Sequence, residues 1–333
     1  MAFWLQVNFR TIEVTVWDSI RSLFGWAREE PPPQDWRVFG ATVKGASHER
    51  LGLPNQDALG WEPTPGIGPP LLLAVADGHG SSKCFRSDVG SKLAVKSALG
   101  VLNEFLESQL DLSDLVAAES LFEEELPREI ERRWKESVEE DLEENPLTED
   151  ELTKLEETSG ESTREKIEGA PFLVYGATIL AAVIHESFIA CLQLGDGDIL
   201  VVSSGGEVAC PIPGDDRLIA NETTSLSGED AWSDFRASFQ AWTDLPPELV
   251  LLATDGYSNS FGNDSDFLSV GSDLLGLLCS EGLESVNAEL PTWLEETSRD
   301  GSGDDVTAGI FFRTTAATDP EPLPGDGSSD SAE

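Results

Sequence analysis

Two stretches of this 333-residue chain, Leu71-Leu72-Leu73-Ala74-Val75-Ala76 and Leu249-Val250-Leu251-Leu252-Ala253, are apolar at every position. Runs of that kind read as strands buried inside a fold. Both lead to the same dipeptide: the first runs into Asp77-Gly78-His79-Gly80, and the second, after Thr254, into Asp255-Gly256. With 39% hydrophobic residues the chain has the material for a core, and general disorder is excluded. One large domain with tails and an insertion accommodates the length.

Shorter strands surround these runs. Val38 to Val43 and Ala58 to Trp61 precede the first, and Ala177 to His185, Phe188 to Leu194 and Ile199 to Ser203 follow it. Turn residues at Glu186-Ser187 and Gly195-Asp196-Gly197-Asp198 link the last three into an antiparallel meander, and Val306 to Arg313 closes the series. Phe85, Val89, Leu93, Leu99, Leu102 and Leu106 recur at helical spacing, as do residues near Phe267 to Leu278 and Glu281 to Glu296, with Pro291 starting a new turn. Residues 1–35 are expected to form an N-terminal appendage ending in a Pro-rich linker, 36–313 the main domain, and 314–333 a disordered acidic tail. An acidic helical insertion is expected at about 111–168, with helices around Leu121 to Val138 and Leu147 to Leu155. Its charge runs read as solvated helix faces, and it carries no ligand motif, so it is expected to be dispensable for chemistry on a small substrate.

The formal charge of −42 makes nucleic acid and anionic membranes unfavourable partners and cations favourable ones. Residues 104–168 carry 24 Asp/Glu against 7 Lys/Arg, a net of −17, so acidity also extends over the rest of the chain. With 7 Lys against 14 Arg, the surface resembles that of proteins adapted to a high-salt cytoplasm, an ordinary acidic protein being the alternative. Cys84, Cys191, Cys210 and Cys279 show neither zinc-ligand nor disulfide-framework spacing and read as small hydrophobes in a reducing compartment. No run reaches the roughly 18 apolar residues of a membrane span, and a cytoplasmic location is expected.

Four segments place an aspartate at, or just before, an apolar strand: Asn55-Gln56-Asp57-Ala58, Asp77-Gly78-His79-Gly80, Asp255-Gly256 and Asp304-Asp305-Val306-Thr307. Each alone is a common turn sequence. Together they offer carboxylates at strand ends, where they can converge on hard divalent cations that prefer oxygen ligands. A calcium-binding or scaffold reading needs a loop of alternating ligands ending in Glu, and the chain has none.

At these residues the chain resembles the protein phosphatase 2C family of metal-dependent Ser/Thr phosphatases, in particular its bacterial and archaeal branch. Gln56-Asp57-Ala58, Val75-Ala76-Asp77-Gly78-His79-Gly80, Gly176-Ala177-Thr178, Leu194-Gly195-Asp196-Gly197-Asp198, Ala253-Thr254-Asp255-Gly256 and Gly303-Asp304-Asp305-Val306-Thr307 follow the family order across residues 38–313. The resemblance implies an α+β fold, a four-layer α-β-β-α sandwich of two antiparallel sheets flanked by helices. It also implies two Mn²⁺ or Mg²⁺ ions: Asp77 bridging both, the Gly78 carbonyl on one, Asp255 and Asp304 on the other, and Asp57 ligating or orienting water. His79 matches the residue that protonates the leaving group. The implied partner is a phosphorylated protein opposed by a Ser/Thr kinase, with a non-catalytic phosphoprotein-binding module as the alternative.

Three positions depart from the family pattern. Gly52 stands where many relatives carry a phosphate-gripping arginine, leaving His48 or Arg50 as candidate substrate contacts. Leu173 and Asn259 occupy the places of two aspartates that bind a third metal in some relatives, so that site is expected to be absent or weak. Gln56 replaces a common Glu and brings no charge.

Overall fold

The computed structural model describes residues 35–108, 114–214, 223–242 and 246–314. The expected appendage and acidic tail lie outside them, apart from Asp35 and Thr314.

Each apolar run is an inner strand of one of two antiparallel sheets. The first sheet is ordered β3 (Ile67–Gly68), β1 (Asp35–Val43), β11 (Val306–Thr314), β10 (Leu249–Ala253), β7 (Asp198–Val202) and β8 (Val208–Ala209). The second is ordered β2 (Ala58–Glu62), β4 (Leu71–Ala76), β5 (Ile179–Ile184), β6 (Phe188–Leu194) and β9 (Arg236–Ala241). Successive side chains of a strand point to opposite faces. In β4, Leu71, Leu73 and Val75 meet Val250 and Leu252 of β10 and Phe311 of β11 in the core between the sheets. Leu72, Ala74 and Ala76 face the helices outside. Leu249, Leu251 and Ala253 do the same on the other sheet. Both faces are covered, which is why neither run alternates with polar residues.

The outer layers are helical. Helix α1 (Ala46–Leu51) follows β1, and α2 (Ser87–Glu107), α3 (Leu115–Glu124), α4 (Leu126–Glu144), α5 (Glu149–Ser159) and α6 (Glu161–Gly169) precede a 3-10 turn at Pro171–Tyr175. Buried residues of α2 to α6 join the core on the outside of the second sheet. Short α7 (Asp255–Ser258) begins at the site, and α8 (Asp264–Glu281) and α9 (Leu283–Asp300) cover the first sheet. The result is the α-β-β-α sandwich. Among the described residues no helix is long and apolar enough to cross a membrane.

Sequence pattern and structure differ at identifiable places. Strand β9 has no buried residue, so it lacks the apolar signal of its neighbours. Helix α9 runs through Pro291, which is exposed. The acidic insertion is more than a set of solvated helices: Leu126, Ile130, Trp134 and Val138, spaced four apart along α4, are buried in the core. Trp134 Nε1 donates to the Gly90 carbonyl of α2 (3.0 Å), and Glu131 accepts from the Trp232 backbone N–H (2.7 Å). Arg86, at the start of α2, forks onto Glu151 of α5 at 3.0 and 2.9 Å. The charges face water, but the opposite face covers the sheet. Deleting 111–168 is therefore expected to give a chain that does not fold. Trp134→Ala should lower unfolding stability by about 3–5 kcal/mol in urea titration. An unchanged midpoint would show that this stripe is not part of the core.

Candidate metal centre

The site lies at the edge of the sandwich where strand ends of both sheets meet. Asp57 precedes β2 and Asp77 follows β4 of the second sheet; Asp255 follows β10 and Asp304 precedes β11 of the first. Across that gap Asp57 Oδ2 accepts hydrogen bonds from the hydroxyls of Thr254 (2.8 Å) and Thr307 (2.7 Å). The two threonines are themselves joined, since the Thr307 backbone N–H donates to Thr254 Oγ1 (3.0 Å) and that of Thr254 to the Thr307 carbonyl (3.1 Å). Asp77 is fixed through its backbone, donating its N–H to Thr178 Oγ1 (3.1 Å) and accepting from the Thr178 N–H (2.8 Å).

The carboxyl of Asp77 lies within hydrogen-bonding reach of both Asp57 and Asp255. Burial, then the charges of Asp57, Asp255 and Asp304, drive its pKa well above the usual carboxylate range. Burial also pushes Asp57 up to about 7, against the pull of its two hydroxyl donors. Asp255 is pushed up to about 6, by burial first and then by the charge of Asp196. Asp77 is thus the carboxylate on which Asp57, Asp255 and Asp304 all bear, and Asp304 bears on Asp255 as well.

Glycine is required beside Asp77. A Cβ on Gly78 would lie 2.5 Å from the Ser87 carbonyl oxygen and 2.7 Å from that of Gln56. The His79 backbone N–H donates to the Gly176 carbonyl (3.1 Å), and a Cβ on Gly176 would come within 2.7 Å of His79 Cδ2. Burial lowers the pKa of His79, opposed by the charge of Asp196. Its ring makes no hydrogen bond among the described residues. Asn259 donates from Nδ2 to Asp255 Oδ2 (2.9 Å), and Leu173 packs against the helical core.

Asp305 ties the loops together. Its Oδ1 accepts from the Gly45 N–H (2.6 Å), and its Oδ2 accepts from the Gln56 N–H (2.6 Å) and meets His48 Nδ1 at 2.8 Å. His48, Asp304 and Asp305 offer ligand atoms within 4.8 Å of one another, but both oxygens of Asp305 are already engaged. The triad is better read as a brace that holds Asp304 in place. His48 is buried with its ring occupied by Asp305, whereas Arg50 donates to Ser47 Oγ (2.8 Å) at the surface.

Sequence reading did not identify Thr254, Thr307, Asp305, Asp196 or Asn259 as site residues. All but Asn259 stand inside the motifs that carry the aspartates, so their types were visible. Their partners were not, being 197, 250 and 249 positions away in the cases of Thr254, Thr307 and Asp305. Asp305→Ala removes the acceptor of two buried backbone donors, and should cost about 3 kcal/mol or more of metal-free stability. Asp305→Asn, which retains one acceptor oxygen, should cost less. Equal denaturation midpoints for the Ala variant and the unaltered chain would overturn the bracing role.

The model of the family described as Protein phosphatase 2C matches residues 44–295. Among solved structures, the catalytic domain of the serine/threonine protein phosphatase PstP, in complex with two manganese ions, is 17% identical with a TM-score of 0.51, covering 84% of this chain and 99% of that one. The serine/threonine phosphatase Stp1 from Staphylococcus aureus is likewise 17% identical with a TM-score of 0.51, over 83% of this chain and 94% of that one. No curated protein matches the chain in sequence comparison. The structural likenesses show the fold, and the family match spans well over half of the sequence: the chain belongs to the protein phosphatase 2C family.

Proposed function

We propose that this chain is a metal-dependent protein serine/threonine phosphatase that hydrolyses phosphoserine and phosphothreonine in protein substrates, with two Mn²⁺ or Mg²⁺ ions as cofactors. The observation that carries the reading is the convergence of Asp57, Asp255 and Asp304 on Asp77: burial and then their charges raise the pKa of Asp77, burial raises those of Asp57 and Asp255, and among the described residues no Lys or Arg pairs with any of the four. The donors are all oxygens, the set that hard divalent cations prefer. Gln56, next to Asp57 in the chain, adds a buried Oε1 with no hydrogen-bond partner among the described residues. The two manganese ions held by the PstP catalytic domain support a two-ion centre.

Asp77, within reach of carboxyls on both sides, is assigned to both ions, the Gly78 carbonyl to one, and Asp255 and Asp304 to the other. Asp57, gripped by two threonines, ligates or orients water. When bound, such ions activate water against phosphorus and neutralise charge on the transferring phosphoryl oxygens. His79 supplies a proton to the departing serine or threonine alkoxide, its ring being free of protein hydrogen bonds among the described residues. Of the two candidates near Gly52, Arg50 keeps an exposed guanidinium and is the one left to meet substrate phosphate. The phosphorylated substrate would be opposed by a Ser/Thr kinase. Retention of every ligand position disfavours a non-catalytic module.

Calorimetric titration of Mn²⁺ into metal-free protein should give two comparable site-specific events, and Asp77→Ala should remove both. Full metal binding by that variant would sink the assignment. His79→Gln should slow phosphopeptide hydrolysis by about 10²–10⁴-fold, because a serine alkoxide needs a proton, but should slow p-nitrophenyl phosphate much less. Equal slowing of both substrates, with parallel weakening of Mn²⁺ binding, would give His79 a structural role.

A further inference from the structure

The segment after His79 borders two cavities. One, of about 470 Å³, is lined by the apolar Leu53, Pro54, Phe85 and Leu155 together with Gln56, Gly80 and Lys154. The other, of about 330 Å³, is lined by Lys83 and Lys166 with Ser162, Thr163 and Ser227. Ser81 lines both, and Ser82 Oγ lies 2.9 Å from Ser159 Oγ at the end of α5. Gln56 and Gly80 adjoin Asp57 and His79 in the chain, so the larger cavity opens beside the metal centre.

The charge here runs against the rest of the protein. The chain has 63 Asp/Glu against 21 Lys/Arg, and 3 of its 7 lysines line these two cavities. Glu151 is the one carboxylate among the lining residues, and Arg86 holds both of its oxygens. Nearby, Arg164 pairs with Glu149 (2.8 Å), Glu156 (3.2 Å) and Glu168 (2.9 Å). The arginines thus pair with Glu149, Glu151, Glu156 and Glu168, and the other carboxylates of α5 and α6, Asp150, Glu157, Glu161 and Glu165, line neither cavity. Lys83, Lys154 and Lys166 are exposed and make no ion pair among the described residues. On so acidic a surface, three unpaired ammonium groups around one loop form a local cationic patch.

We propose that these cavities form a subsite for the acidic flank of the substrate: Glu or Asp side chains close in sequence to the phosphorylated serine or threonine. The inference rests on the phosphatase reading. Lysine is a flexible point charge, so it selects carboxylates without demanding one fixed geometry. An extended peptide advances about 3.3 Å per residue, so flanking side chains a few positions from the phosphate can reach beyond the metal centre. Leu53, Pro54, Phe85 and Leu155 offer an apolar wall for the peptide backbone and side-chain stems. The acidic insertion then has a functional part, since α5 and α6 contribute two of the three lysines.

The test uses the full chain and phosphothreonine peptides of equal length flanked by Glu or by Gln. With Mn²⁺, kcat/KM for the Glu peptide should exceed that for the Gln peptide by about tenfold, through KM, as three exposed pairs of modest strength allow. The advantage should shrink as salt rises. The triple substitution Lys83→Gln, Lys154→Gln, Lys166→Gln should erase it, with circular dichroism verifying the fold. Fluorescence anisotropy with non-hydrolysable phosphonate versions of both peptides gives the same comparison without turnover. Equal affinity for the two peptides, or a preference that survives the triple substitution, would overturn the subsite. Failure to hydrolyse even p-nitrophenyl phosphate would instead count against the phosphatase reading, and the anisotropy ratio would still decide on the subsite.

Discussion

Like charges brought together where water is scarce set the terms for the rest of this molecule. Two such charges about 4 Å apart repel by roughly 4 kcal/mol at an effective dielectric near 20, whereas a hydrogen bond to a charged group returns about 1.5–3 kcal/mol. The hydroxyls of Thr254 and Thr307 orient Asp57 but do not outweigh its burial, and its pKa stays raised. Either protons or cations must balance Asp57, Asp77 and Asp255. A scaffold that holds carboxylates in this state has to be stiff, and the surrounding structure supplies that stiffness from two directions.

The first is the sandwich. Asp57 and Asp77 belong to one sheet, Asp255 and Asp304 to the other, so the spacing of the carboxylates is set by the core between the sheets. Leu73, Val75, Val250 and Leu252 in that core are buried on both sides of the gap. The second is Asp305, whose carboxylate joins the loop before α1, the turn before β2 and the approach to β11. Packing fixes the distance between sheets, and this brace fixes the loops that close it.

The acidic insertion belongs to the same balance of charge. Its inner face covers α2 and the second sheet, its Arg132, Arg133 and Arg164 take up neighbouring carboxylates, and its Lys154 and Lys166 are left beside the two cavities. A segment with a net charge of −17 across residues 104–168 thereby presents lysines where it lines the two cavities.

Much of this was legible in the residues. The unbroken apolar runs at 71–76 and 249–253 marked doubly covered strands, and the aspartates at their ends marked a convergent oxygen site, because strand periodicity and turn chemistry are local properties. The stripe of Leu126, Ile130, Trp134 and Val138 was equally local, but the dense charge around it obscured its role in the core. Which residues meet across the sandwich was another matter. Thr254 and Thr307 reach Asp57, Asp305 reaches Gly45, His48 and Gln56, and Lys83 joins Lys154 and Lys166 only once the chain has folded. By itself the sequence determined strand identity, ligand type and overall charge; tertiary structure alone decided the partners of each carboxylate and where the unpaired lysines gather, because contacts between residues hundreds of positions apart depend on sheet order and register rather than on any local pattern.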